Sequence, residues 1–89
     1  MVNTDLILTF ENTSEVPLVI VIDPPCEDFE LKTGQTLKLK IINYRSNQDK
    51  VSDIVDVRYS EQNTINIDIK YNFTLTVVFD NEERIIWEI

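Results

Sequence analysis

Thr64-Ile65-Asn66-Ile67-Asp68-Ile69-Lys70 sets an isoleucine at every second position and a polar residue between. Side chains on an extended chain project to alternate faces, so this pattern describes a strand with one face in a core and the other in water. A helix would scatter the same isoleucines around its circumference. Working outward, the same period recurs along the chain. Phe73, Leu75, Val77 and Phe79 follow, and Ile85, Trp87 and Ile89 end the sequence. Upstream stand Val55, Val57 and Tyr59; Leu37, Leu39 and Ile41; and Phe29 with Leu31. Leu18, Ile20, Ile22 and Leu6, Leu8, Phe10 complete the series. No stretch carries a helical period over useful length. The expected fold is all-β: a two-layer antiparallel β-sandwich of about seven to eight short strands, with a small partly open barrel as the alternative.

Turn chemistry separates these runs. The single glycine, Gly34, lies in Lys32-Thr33-Gly34-Gln35, where a turn needs a left-handed residue. If the last two runs form a hairpin with a common core face, Val77 pairs with Trp87 and Phe79 with Ile85. That leaves Asn81-Glu82-Glu83 as the loop. Likewise Ile69 pairs with Phe73 and Ile67 with Leu75 around Lys70-Tyr71-Asn72, unless one kinked strand runs from Thr64 to Phe79. The polar stretch from Asn43 to Ser52 is expected to be the most mobile.

The 89 residues make one domain, 1–89. The lone cysteine, Cys26, has no partner for an internal disulfide, which fits a reducing compartment. Met1-Val2-Asn3-Thr4-Asp5 lacks the basic start of a secretion signal, and no apolar run is long enough for a membrane span. A cytoplasmic location is therefore expected. Asn12-Thr13-Ser14 and Asn72-Phe73-Thr74 match the glycosylation triplet and are read as coincidental without a secretion signal.

The net charge of −8 is unevenly spread. Residues 1–31 carry seven acids and neither lysine nor arginine; the rest is nearly balanced. Such a field repels nucleic-acid phosphates and anionic membranes and attracts a basic protein surface. No nucleic-acid or membrane partner is expected.

Histidine is absent, so Ser–His and Cys–His catalysis are excluded, and zinc, iron and copper lose their preferred ligands. One glycine cannot build a phosphate loop. No cofactor is expected, and the chain reads as a non-enzyme. Among metals only calcium survives, at Asp23, Glu27, Asp28 and Glu30 around the Pro24-Pro25 bend, although their spacing follows no calcium-loop pattern. A second candidate surface is apolar. Val19, Val21, Ile42, Ile54, Val78 and Ile86 fall on faces opposite to the expected core, and they mark either an interaction surface or phase-flipping bulges. Edge strands offer a further route to association, with Lys38 and Lys40 placed to discourage it on the fourth run.

Between Val16 and Ile41, the apolar run Leu18–Ile22 leads into the bend Asp23-Pro24-Pro25-Cys26. Asp28-Phe29-Glu30-Leu31 and Thr33-Gly34 follow. This segment resembles a class of small uncharacterised bacterial β-sandwich proteins, in which an apolar strand ends in a Glu-Pro-Trp-Gly-like bend before an acidic-aromatic strand and a Pro-Gly turn. The bend tryptophan and glycine are missing here, and Thr33 replaces the turn proline. The resemblance implies a bacterial β-sandwich of unknown role and carries over no site residues. The leading expectation is a non-enzymatic protein-interaction module whose partner is basic, or a homodimer. The alternatives are a calcium or small-ligand binding β-sandwich, and an acidic inhibitor or immunity-type protein that neutralises a basic toxin.

Overall fold

The computed structural model describes residues 5–44, 54–60, 62–70 and 73–89. The alternating runs become eight strands: β1 (Leu6–Glu11), β2 (Leu18–Asp23), β3 (Glu27–Leu31), β4 (Thr36–Ile41), β5 (Val55–Ser60), β6 (Thr64–Ile69), β7 (Leu75–Phe79) and β8 (Glu82–Trp87). They form two four-stranded sheets, ordered β1-β4-β7-β8 and β3-β2-β6-β5, with no barrel closure. Leu18, Ile20, Ile22, Leu31, Leu37, Leu39, Ile41, Ile67 and Leu75, all at or below 7% exposure, fill the space between.

One departure from antiparallel pairing follows from the route of the chain. Successive strands run in alternate directions, so odd-numbered strands point one way and even-numbered strands the other. Neighbours of opposite parity are antiparallel, whereas β2 and β6, both even, pair in parallel with Ile20 beside Ile65 and Ile22 beside Ile67. Because β6 joins β2 and β7 joins β4, the expected Ile69–Phe73 hairpin does not form; the chain crosses between sheets instead. Tyr71 and Asn72 of its expected turn lie outside the described residues, as do residues 45–52 of the polar stretch expected to be mobile.

The last hairpin also differs from the simplest register. Asp80 and Asn81 make a two-residue turn with φ of 54° and 64°. Both central positions of the favoured hairpin turn need positive φ, which Asp and Asn tolerate best among residues with a Cβ. The turn sets Arg84 opposite Val77 and Ile85 opposite Thr76, and a bulge then restores the phase so that Trp87 faces Leu75. Ile85 consequently points outward at 53% exposure, whereas Ile86 packs on the core. Ile89 is likewise exposed, and Ile54 is fully buried rather than outward.

The end of the sandwich that holds the β1–β2 and β3–β4 turns is tied by one buried amide. The Asn12 side chain, 2% exposed, donates to the carbonyls of Val16 at 2.8 Å and Leu31 at 2.9 Å. Its Oδ1 accepts from the Ser14 N–H at 3.0 Å and the Ser14 hydroxyl at 2.8 Å. Gly34, at φ 86°, donates its N–H to the Asn12 carbonyl.

Candidate functional site

The two lateral sides of the sandwich are built differently. On the β3/β8 side, Glu27 and Arg84 are inward-facing at their strand edges and meet between the sheets. Both Arg84 terminal nitrogens donate to the Glu27 carboxylate, which holds the Arg84 pKa above the ordinary arginine value. The Arg84 guanidinium lies 5.9 Å above the Phe29 ring, which packs edge-on to Phe79 at 6.0 Å and 77°. An open cleft of about 150 Å³ adjoins this cluster, lined by Phe29, Val77, Phe79, Asp80, Glu82 and Arg84. A larger groove of about 400 Å³ runs over Gln35, Thr36, Lys38, Val78, Phe79, Asp80 and Asn81.

The opposite side is open. Val57 and Tyr59 share the inward face with their partners Ile67 and Ile65, yet they are 47% and 68% exposed because β5 is an edge. The expectation that both are core residues therefore fails for want of a covering strand, while Val55 is buried.

The outer face of the second sheet gathers charge that is dispersed in the sequence. Cross-strand partners point the same way, so the register defines three rows across β3, β2, β6 and β5. The first is Glu30–Val19–Thr64–Ser60 and the second Asp28–Val21–Asn66–Arg58. The third is Asp23–Asp68–Asp56, three aspartates directly side by side. Five carboxylates thus surround two half-buried valines. Arg58 is the cation among them, with Nη2 at 2.6 Å from Asp68 and Nε at 3.7 Å from Asp56.

The calcium candidates are not brought together. Glu27 turns inward to Arg84, whereas Asp23, Asp28 and Glu30 face outward on the other side of the sheet. Among the described residues no group of three potential ligands is close enough to hold a metal ion. Cys26 is exposed at φ 72° in the β2–β3 turn, its N–H bonded to the Ile22 carbonyl at 2.7 Å.

Of the apolar candidates, Val19 and Val21 form the centre of the acidic face. Ile42 is half-buried just beyond β4, its N–H donating to the Thr74 carbonyl, and Ile86 is the bulged residue on the core. The four therefore do not make one patch. Asp56 and Asp68 escaped the sequence reading because their place beside Asp23 depends on the parallel β2–β6 pairing. No local signal announces that pairing; the polar positions of the β6 alternation hint only that Asp68 faces out.

No known protein family, curated protein or solved structure matches the chain. No helix among the described residues is long and apolar enough to cross a membrane.

Proposed function

We propose that the chain is a non-enzymatic protein-interaction module that receives a basic partner surface on the outer face of β3-β2-β6-β5. The observation that carries this reading is the Asp23–Asp68–Asp56 row. Like charges directly opposite in a sheet cost stability, roughly 0.2–1 kcal/mol per pair. Arg58 offsets part of that for Asp68 and Asp56, and Asp23 lies at the far end of the row. Lysines or arginines of a partner would relieve the remainder, while Val19 and Val21 supply apolar contact at the centre. Carboxylate rim and apolar middle together favour protein over nucleic acid or membrane. A narrower version is an acidic inhibitor or immunity-type protein whose basic target docks on this face. The unpaired Cys26 agrees with a cytoplasmic setting.

The test is differential capture from cell extract by the chain and by a variant carrying Asp28→Lys, Glu30→Lys and Asp68→Asn. Expected is a stoichiometric basic protein that the parent retains, that moderate salt releases, and that the variant fails to hold. Retention of every captured protein by the variant, or release that ignores salt, refutes the reading.

A further inference from the structure

We propose that β5 is the seam of a homodimer in which two copies pair antiparallel along this strand, with Val57 of each chain on the two-fold axis. Three independent features of the strand select the same register.

The first is exposure. β5 is an unbulged edge in which Asp56 through Ser60 are all exposed. Of the remaining edges, those of β3 and β8 are protected. β3 carries three acids in five residues, and β8 carries Glu82, Glu83 and Arg84 before its bulge.

The second is hydrogen-bond phase. The Lys70 N–H donates to the Ile54 carbonyl at 2.7 Å, one step beyond the Val55–Ile69 pair in the same register. Directly opposite residues in an antiparallel ladder alternate between bonded and unbonded pairs. Asp56, Arg58 and Ser60 therefore spend their main-chain groups on β6, and Val55, Val57 and Tyr59 direct theirs to the free edge. A second strand can bond there only by matching odd-numbered residues with odd-numbered residues.

The third is side-chain complementarity. With Val57 on the axis, Asp56 meets Arg58 of the second copy, Arg58 meets its Asp56, and Val55 meets its Tyr59. The four pairs flanking the axis are two of opposite charge and two apolar, and Val57 meets itself. The neighbouring symmetric registers that keep the bonding phase place Asp56 against Asp56 or Arg58 against Arg58, which like-charge repulsion disfavours. The strand Val55-Asp56-Val57-Arg58-Tyr59 is thus self-complementary in one register only. Pairing covers the exposed Val57 and Tyr59, joins the two second sheets into one, and adds a neutralising arginine beside each Asp56. The contact is isologous, so assembly stops at two copies. It is one strand wide, which makes it reversible.

Sedimentation measured from micromolar to millimolar chain concentration tests the proposal, with far-ultraviolet dichroism to confirm that each variant is folded. The parent is expected to pass from monomer to dimer. Val57→Pro removes an outward N–H and no bond to β6, and is expected to remain monomeric. Thr9→Pro is the control. Asn12 N–H bonds to the Gln35 carbonyl in the β1–β4 register, so Thr9 also faces a free edge, and this variant is expected to dimerise like the parent. Asp56→Arg and Arg58→Asp are each expected to be monomeric alone and to form a heterodimer when mixed, since mixing restores both opposite-charge pairs. A parent that stays monomeric at every concentration overturns the proposal. So does a dimer that survives in both charge variants, or one that is lost on Thr9→Pro and kept in Val57→Pro.

Discussion

Replacing Asn12 by alanine would remove a buried side chain that ties the β1–β2 loop to the end of β3. The amide contributes four hydrogen bonds: two donated, to Val16 and Leu31, and two accepted, both from Ser14. A hydrogen bond within a protein contributes about 0.5–1.5 kcal/mol net, and a buried carbonyl left without a partner costs about 1–3 kcal/mol. The Ser14 hydroxyl, released from Oδ1, lies 2.8 Å from the Val16 carbonyl and can give it its single proton, so that carbonyl is not orphaned. Leu31 is fully buried, and its carbonyl loses this donor. The Ser14 N–H can turn to water, which limits its share. Together these terms give a loss of about 2–4 kcal/mol. A domain of this length has about 4–13 kcal/mol in total, so the variant should be visibly weakened. The expected fall in melting temperature is on the order of 10–25 °C. Urea unfolding followed by the fluorescence of Trp87, which is half-buried against the core, gives the free energy directly. Asn12→Asp separates bonding from size: it keeps the acceptor but points a carboxylate at two carbonyls, and should be at least as destabilising. Losses below about 1 kcal/mol in both variants would show that the four bonds are not holding this end together.

Two further substitutions probe the turn and the core. Gly34→Ala meets no atom within 4 Å, so its cost is the left-handed backbone alone, about 1–2 kcal/mol, and Gly34→Asn should recover part of it in the same urea assay. Leu39→Ala, at a fully buried position of β4, should cost about 2–5 kcal/mol, whereas Ile85→Ala, outward on β8, should stay within about 0.5 kcal/mol. Equal losses at the two positions would mean that the two-residue turn does not set Ile85 outward on β8.

Alternation was enough to find the strands, because burial of one face per strand leaves a period-two signature in the residues themselves. Ile65, Ile67 and Ile69 illustrate this: all three stand on the inward side, graded from half-buried to buried. What alternation lacks is partnership. It states that Asp68 faces out and that Asp23 faces out, but their adjacency requires β6 to lie beside β2, across more than forty residues of chain. It also cannot weigh cover: Val57 obeys the pattern of a core residue and is exposed because no strand lies beyond β5. The last hairpin shows a different gap. The alternation alone is satisfied by a three-residue loop, Asn81-Glu82-Glu83, which keeps Ile85 and Trp87 in one phase without a bulge. The φ preferences of Asp80 and Asn81 favoured the tighter turn, and Ile86 took up the resulting mismatch.

The acidic face and the open β5 edge belong to the same sheet, and this bears on how a basic partner would be held. In a dimer paired through β5 the two outer faces become one continuous surface, with the Asp56 and Arg58 side chains of both copies interleaved at its centre. Arg58 then shares its charge among Asp68, its own Asp56 and Asp56 of the second copy, so the seam is the least acidic part of the joined face. The strongest negative potential lies instead at the flanks, where Asp23, Asp28 and Glu30 enter none of the ion pairs among the described residues. A basic partner would therefore meet two separated acidic patches and not one. Two modest contacts held at a fixed spacing bind more tightly than either alone, because the second engages at high effective concentration. Dimerisation through β5 and recognition by the outer face are thus separable in mutants: Val57→Pro removes the pairing of patches and leaves each patch intact.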